Sequence, residues 1–345
     1  MKNILIILVL VISSSLMAQD LWSYANAGAD VVVYVNSENG EKNMDPALWA
    51  KIQRQKKEAI AVHERRTKEA EAYHKEQLKA EGKEEEEDEE GGKEIDMNFK
   101  DKHIELLLNI FVVSTTPMVS NFEGAIIVKN DDKSSPLQDF KKLLEEQKGN
   151  SAVTQRSLKI DGREAFAIDT TSNVNGKNMA TNCLVIPRDD NMFEFKIKMN
   201  SPTGVSETML SRAGGTMAMT EGITGGDNAL AVGCNTQRLA SMMNGELTPQ
   251  MLALKNCLQQ TDIGKLMCRV SGRNAYITIM LHFYDPLAAQ GVLANIRQFT
   301  YVINEQPLLN QYVREVKTSV NGDQLIITGT MDVERGWSLI NKFHQ

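Results

Sequence analysis

Five histidines, four cysteines and two clusters of carboxylates are the side chains of this 345-residue chain that could hold a metal, activate water or act as a nucleophile. His63-Glu64 resembles the start of a zinc-protease helix, but position 67, where a second imidazole belongs, is Thr67. His63 and His74 would share a helical face at a separation of about 16 Å, too far apart to ligate one ion. Asp131 and Asp132 lie in "NDDKSS", which lacks the alternating oxygen ligands and the closing Glu of a calcium loop. His282 lies in the apolar run "AYITIMLHF" and reads as a hydrogen-bonded core histidine.

The second carboxylate cluster is "EGKEEEEDEEGGKE", Glu81 to Glu94, with nine acidic side chains and two lysines. Seven consecutive carboxylates at 84–90 repel one another and hold the backbone extended, so they bind divalent ions weakly. A solvated loop is the expectation, and a partner for it would be cationic. Neither a G-x-S-x-G elbow nor a G-x-x-x-x-G-K-[ST] loop is present. No catalytic, cofactor-binding or metal residue is therefore assigned. A Ser, His and Asp set assembled from distant residues stays open.

Cys183, Cys234, Cys257 and Cys268 admit three pairings in an oxidising compartment. Cys257 with Cys268 is the preferred disulfide, since a short link would bring a helix end back against a strand. Four free thiols in a large core are an equal alternative.

The elements that would position these residues follow from local pattern. "ADVVVYVNS" is a strand, and Asp45-Pro46 opens a helix carrying Leu48, Trp49 and Ile52. Between Lys51 and Lys79 nine Lys or Arg stand against five Glu with no sustained apolar stripe, so that helix should project into water. "HIELLLNIFVV", His103 to Val113, is assigned to helix by its length and its leucines. "FEGAIIVKN" is a strand, and Ser135-Pro136 caps a helix with Leu137, Phe140, Leu143 and Leu144 on one face. Asp161-Gly162 and Asn321-Gly322 are hairpin turns, and "NCLVIPRDDNMFEFKIKM" is a further hairpin.

The C-terminal half repeats the order: strand "NALAVGC", two short helices, two strands, and a helix opened by Asp285-Pro286, with "SPL" at 135–137 matched by "DPL" at 285–287. The expected fold is α+β: two related units, an internal duplication, each a mixed or antiparallel sheet covered by helices. The N-terminal unit is 19–200 with a charged insertion at about 50–98, and the C-terminal unit is 201–345. The glycine-rich "AGGTMAMTEGITGGDNA" would connect them. A closing helix carries Val333, Trp337 and Ile340.

Met1-Lys2, the apolar "ILIILVLVI" and the exit "SSSLMA" ending at Ala18 have the three parts of a secretory signal. Cleavage at 1–18 removes Lys2 and takes the net charge from -7 to -8. A net acidic exported chain is a poor partner for nucleic acid, whose phosphates require clustered cations. After cleavage the chain should not be an integral membrane protein; the sequence names no partner, and an envelope component or another protein is the candidate. A non-enzymatic binding or envelope-associated module is the leading expectation; an exported hydrolase, or a carrier of apolar ligands in a covered groove, is the alternative.

Overall fold

β1 (Val31–Asn36) is the natural centre of the fold, since a run of β-branched residues favours a pleated, buried strand. In the computed structural model the described residues are most of 21–69 and then 102–115, 118–130, 135–147, 153–160, 162–174, 177–199, 227–243, 249–305 and 313–343. The segment 1–18, His63, His74, His344, the acidic tract, Asp131, Asp132, Asp161 and the glycine-rich stretch up to 226 lie outside them.

The other strands are β2 (Lys102–Thr115), β3 (Met118–Asn130), β4 (Val153–Ile160), β5 (Arg163–Val174), β6 (Lys177–Pro187), β7 (Met192–Met199), β8 (Asn228–Asn235), β9 (Thr261–Ser271), β10 (Asn274–Phe283), β11 (Val313–Asn321) and β12 (Gln324–Asp332). They form one sheet in the order β11-β12-β10-β9-β8-β1-β2-β3-β7-β6-β5-β4. All the pairings between these strands are antiparallel. This corrects the expectation of two units with helix-covered sheets: a single twelve-stranded antiparallel sheet dominates, with few helices, and a duplication is not shown. The physical reason is the seam between β1 and β8, where Val31, Val33 and Val35 pair with Cys234, Val232 and Leu230. Each half thus supplies a block of strands to the same ladder.

A second correction concerns 103–113, which is strand β2 and not helix. Its apolar run is continuous because residues 104–109 are buried on both faces of the sheet. Close packing with β3 continues at Gly124, whose Cα lies against the Leu107 carbonyl.

The helices are α1 (Ser37–Lys42), α2 (Pro136–Glu146), α3 (Thr236–Met242), α4 (Pro249–Gln259), α5 (Pro286–Glu305) and α6 (Val333–Phe343), with a further helical run at 46–55. Ser135 caps α2 by accepting from the Gln138 amide, as its sequence requires. Asp45 does the same for the run at 46–55, accepting from the Leu48 amide at 2.9 Å. The two glycine turns are also found: Gly162 and Gly322 have φ of 75° and 62°, a region that costs an L side chain steric strain.

α2 and α5 cross the same face of the sheet. Leu137 and Phe140 of α2 pack on Val128, Val185 and Phe193, and the Phe140 ring meets those of Phe166 and Phe193 edge-on at 5.6 and 5.7 Å. Ala289, Val292 and Leu293 of α5 cover Phe283 and Leu325. On the opposite face Leu21, Ala25 and Ala29 pack against Val32, Tyr34, Leu107 and Ala231. At the turn between β9 and β10 the Gly272 carbonyl accepts from the Asp45 amide at 2.8 Å, and Arg273 and Lys51 both reach Glu334 of α6.

Candidate functional site

Two groups of polar side chains stand out from this framework. The first is a row on the face opposite α2 and α5. The Tyr34 hydroxyl donates to Glu105 Oε1 at 2.7 Å and accepts from Asn36 Nδ2 at 2.9 Å. Burial, opposed in part by the Asn36 hydrogen bond, pushes the Tyr34 phenol above its ordinary range. One register step along, Asn109, Glu123 and Lys196 stand opposite one another on β2, β3 and β7, with Lys196 Nζ 3.3 Å from Glu123 Oε2. Arg188 closes on Glu194 through its Nε at 2.7 Å. These groups are consumed by one another, so the row can fix strand register but presents no free acid or base.

The second group lies where β9 begins and β10 ends. β9 bulges there, pairing Ile263 with His282 and Thr261 with Phe283, which leaves Asp262 as the additional residue. His282 Nδ1 is 2.7 Å from Asp262 Oδ1, and its Nε2 is 3.1 Å from Asp323 Oδ2 in the turn between β11 and β12. The Asp262 hydrogen bond raises the His282 pKa above its ordinary value; burial opposes this and both carboxylates add Coulombic support. His282 was expected to be satisfied, and it is; it is not a core residue, being 36% exposed. As an imidazolium, with each ring nitrogen donating to a carboxylate, the ring has no lone pair to take a proton from a serine or a water.

Asp262 and Asp323 went unassigned in the sequence. They stand 20 residues before and 41 residues after His282 (282 − 262 and 323 − 282), and only the strand register brings them together. Their visible signal is position: an acidic residue at a strand start and another directly after Asn321-Gly322.

All four cysteines are free thiols. Cys257 is on α4 and packs toward the Phe283 cluster, whereas Cys268 is seven residues along β9 from Thr261, roughly 23 Å of strand. Both stand as free thiols, so the Cys257–Cys268 disulfide is not present in this structure. Burial pushes each thiol up, and Cys183 reaches about 12. In the folded protein Cys183 should therefore react with iodoacetamide at pH 8 on the order of a thousandfold more slowly than in the unfolded chain. Alkylation followed by mass spectrometry measures this, and a native rate within tenfold of the unfolded rate would contradict it.

Among the described residues no group of three or more His, Cys, Asp or Glu has the geometry to hold a metal ion. No described helix is long and apolar enough to cross a membrane.

No protein-family model matches the chain. No curated protein matches it either. Among solved structures it is similar to TP0453: crystal form III at TM-score 0.46 and 14% identity, covering 93% of this chain and 97% of that one. Crystal form IV of TP0453 gives TM-score 0.44 and 15% identity over 93% and 95% of the two chains. LpqN, described as involved in cell envelope biogenesis of Mycobacterium tuberculosis, gives TM-score 0.20 and 10% identity over 29% of this chain and 65% of its own.

Proposed function

We propose that the chain is an exported, envelope-associated binding module that works without catalysis. The observation that carries this reading is the occupation of the reactive groups among the described residues. His282 holds two carboxylates, the thiols are kept protonated by burial, and Glu105, Glu123, Lys196, Arg188 and Glu194 are engaged with one another or with Tyr34. An enzyme needs at least one such group poised for a substrate. The secretory pattern of residues 1–18 supports the address. The envelope role of LpqN is in keeping with that address but is LpqN's own.

The carrier alternative has one specific observation in its favour. On the sheet face that α2 and α5 cross, Val33, Ile110 and Leu230 are half-buried around the buried Val35, Leu106 and Leu108, an aliphatic cluster. Native mass spectrometry of protein purified from its own cells decides between these readings, together with fractionation and the mass of the mature N-terminus. The expected result is an exported protein beginning at Gln19 and carrying no small molecule. A co-purifying apolar ligand would replace the binding-module reading with the carrier, and a cytoplasmic protein beginning at Met1 would remove both.

A further inference from the structure

We infer that His282 is a proton-operated clip: its imidazolium, held between Asp262 and Asp323, ties the turn of the edge hairpin β11–β12 and the leading end of α5 to the sheet. The three groups come from separate segments: Asp262 from the bulge of β9, His282 from β10, and Asp323 from the hairpin turn. The Asp323 carbonyl also accepts from the Phe283 amide at 2.8 Å. Phe283 is fully buried beneath α5, which begins three residues later at Pro286. The clip therefore sits directly behind the residue that seats this helix.

Charge state decides how many contacts the ring can make. As an imidazolium it donates from both nitrogens, one to each carboxylate. As a neutral ring it keeps one donor and turns a lone pair toward the other carboxylate, so one contact becomes repulsive. The groups facing it are Asp262 from β9, Asp323 from the turn, and the Tyr284 phenol after β10, whose own pKa is raised by burial and then by Asp262. Its register partners Ile263 and Gln324 are uncharged, and Lys265 and Arg269, two and six residues along β9 from Ile263, are the cations on that strand's same face. Asp285 is occupied by the Leu287 amide at 2.9 Å.

A histidine whose pKa is raised on folding contributes stability that is present below its ordinary value of about 6.5 and is lost as pH rises through the raised value. The clip is closed in acid and opens toward alkaline pH. Opening would free the corner that carries Tyr284 and Leu287, which are 58% and 72% exposed. An exported protein meets the pH of its surroundings directly, so the device reads the medium.

Hydrogen exchange of the full chain at pH 6 and pH 9, corrected for the intrinsic rise of exchange with pH, tests this. Peptides covering Phe283–Ala289 and Asp323 should lose more than twofold protection at pH 9, an effect that solvent screening at this partly exposed site keeps modest. A β2 peptide should not change. In His282→Gln the loss should vanish; should that variant fail to fold, Asp262→Asn should shrink it to below twofold. If wild type and variant lose protection by the same factor, or if the His282 Cε1 resonance titrates at or below about 6.5, the clip is refuted.

Discussion

Gly124→Ala should destabilise the protein by about 3 kcal/mol or more, lowering the thermal midpoint by roughly 6 °C or more. An ideal Cβ at this position would stand 1.9 Å from the Leu107 carbonyl oxygen, 3.0 Å from its carbon and 3.2 Å from the Leu108 Cα. All three are backbone atoms of β2, so no rotamer change relieves the contact. Separating the strands would break the ladder in which Gly124 pairs with Leu108 on one side and Phe195 on the other. β2 cannot tilt away either, because residues 104–109 are packed on both faces. The same substitution at Gly291, in α5, meets nothing within 4 Å and should leave stability unchanged or raise it by about 0.5–1 kcal/mol through helix propensity. Equal effects at the two positions would mean that β2 and β3 do not approach as closely as described.

That contact also shows where the sequence is readable. The helix caps at Ser135 and Asp45 and the turns at Gly162 and Gly322 are local chemistry: each depends on residues within three positions, and each is found. The β2 pattern fits two periods. Glu105 and Asn109 are four apart, as one face of a helix would have them, and they also share one face of a strand with Leu107 between. Burial on both faces removes the alternation that would have decided the matter. The unity of the sheet was not readable for a different reason. The Val33 to Val232 pairing joins residues almost two hundred positions apart, and nothing local distinguishes one long sheet from two shorter ones. The His282 clip belongs to the same class, since it exists only once three strands are in register.

Phe283→Ala should cost about 3–5 kcal/mol, the range for removing a fully buried aromatic side chain from a close-packed site. Its ring is enclosed by Ala289, Val292 and Leu293 of α5 and by Leu325 of β12, which leaves a cavity that the rigid sheet cannot collapse to fill. Phe283→Leu retains most of the volume and should cost less than half as much. The larger consequence is in the shape of the transition. Phe283 lies in the strands from the C-terminal half and Gly124 in those from the N-terminal half, yet both sit in one ladder through β8 and β1. The seam is reinforced where the Asp30 carbonyl accepts from the Asn235 amide at 2.8 Å, where Arg238 Nε reaches Asp30 Oδ1 at 3.1 Å, and where residues 43–45 bond to the turn at Gly272. A continuous ladder makes unfolding of one half expose strand edges and apolar faces of the other, so each loss should be transmitted across the seam. Urea unfolding followed at probes in β3 and in β12 should then move together in Phe283→Ala and in Gly124→Ala alike. If Phe283→Ala moves only the β12 signal and leaves β3 at its original midpoint, the halves unfold separately and the β1–β8 seam holds them side by side without coupling them.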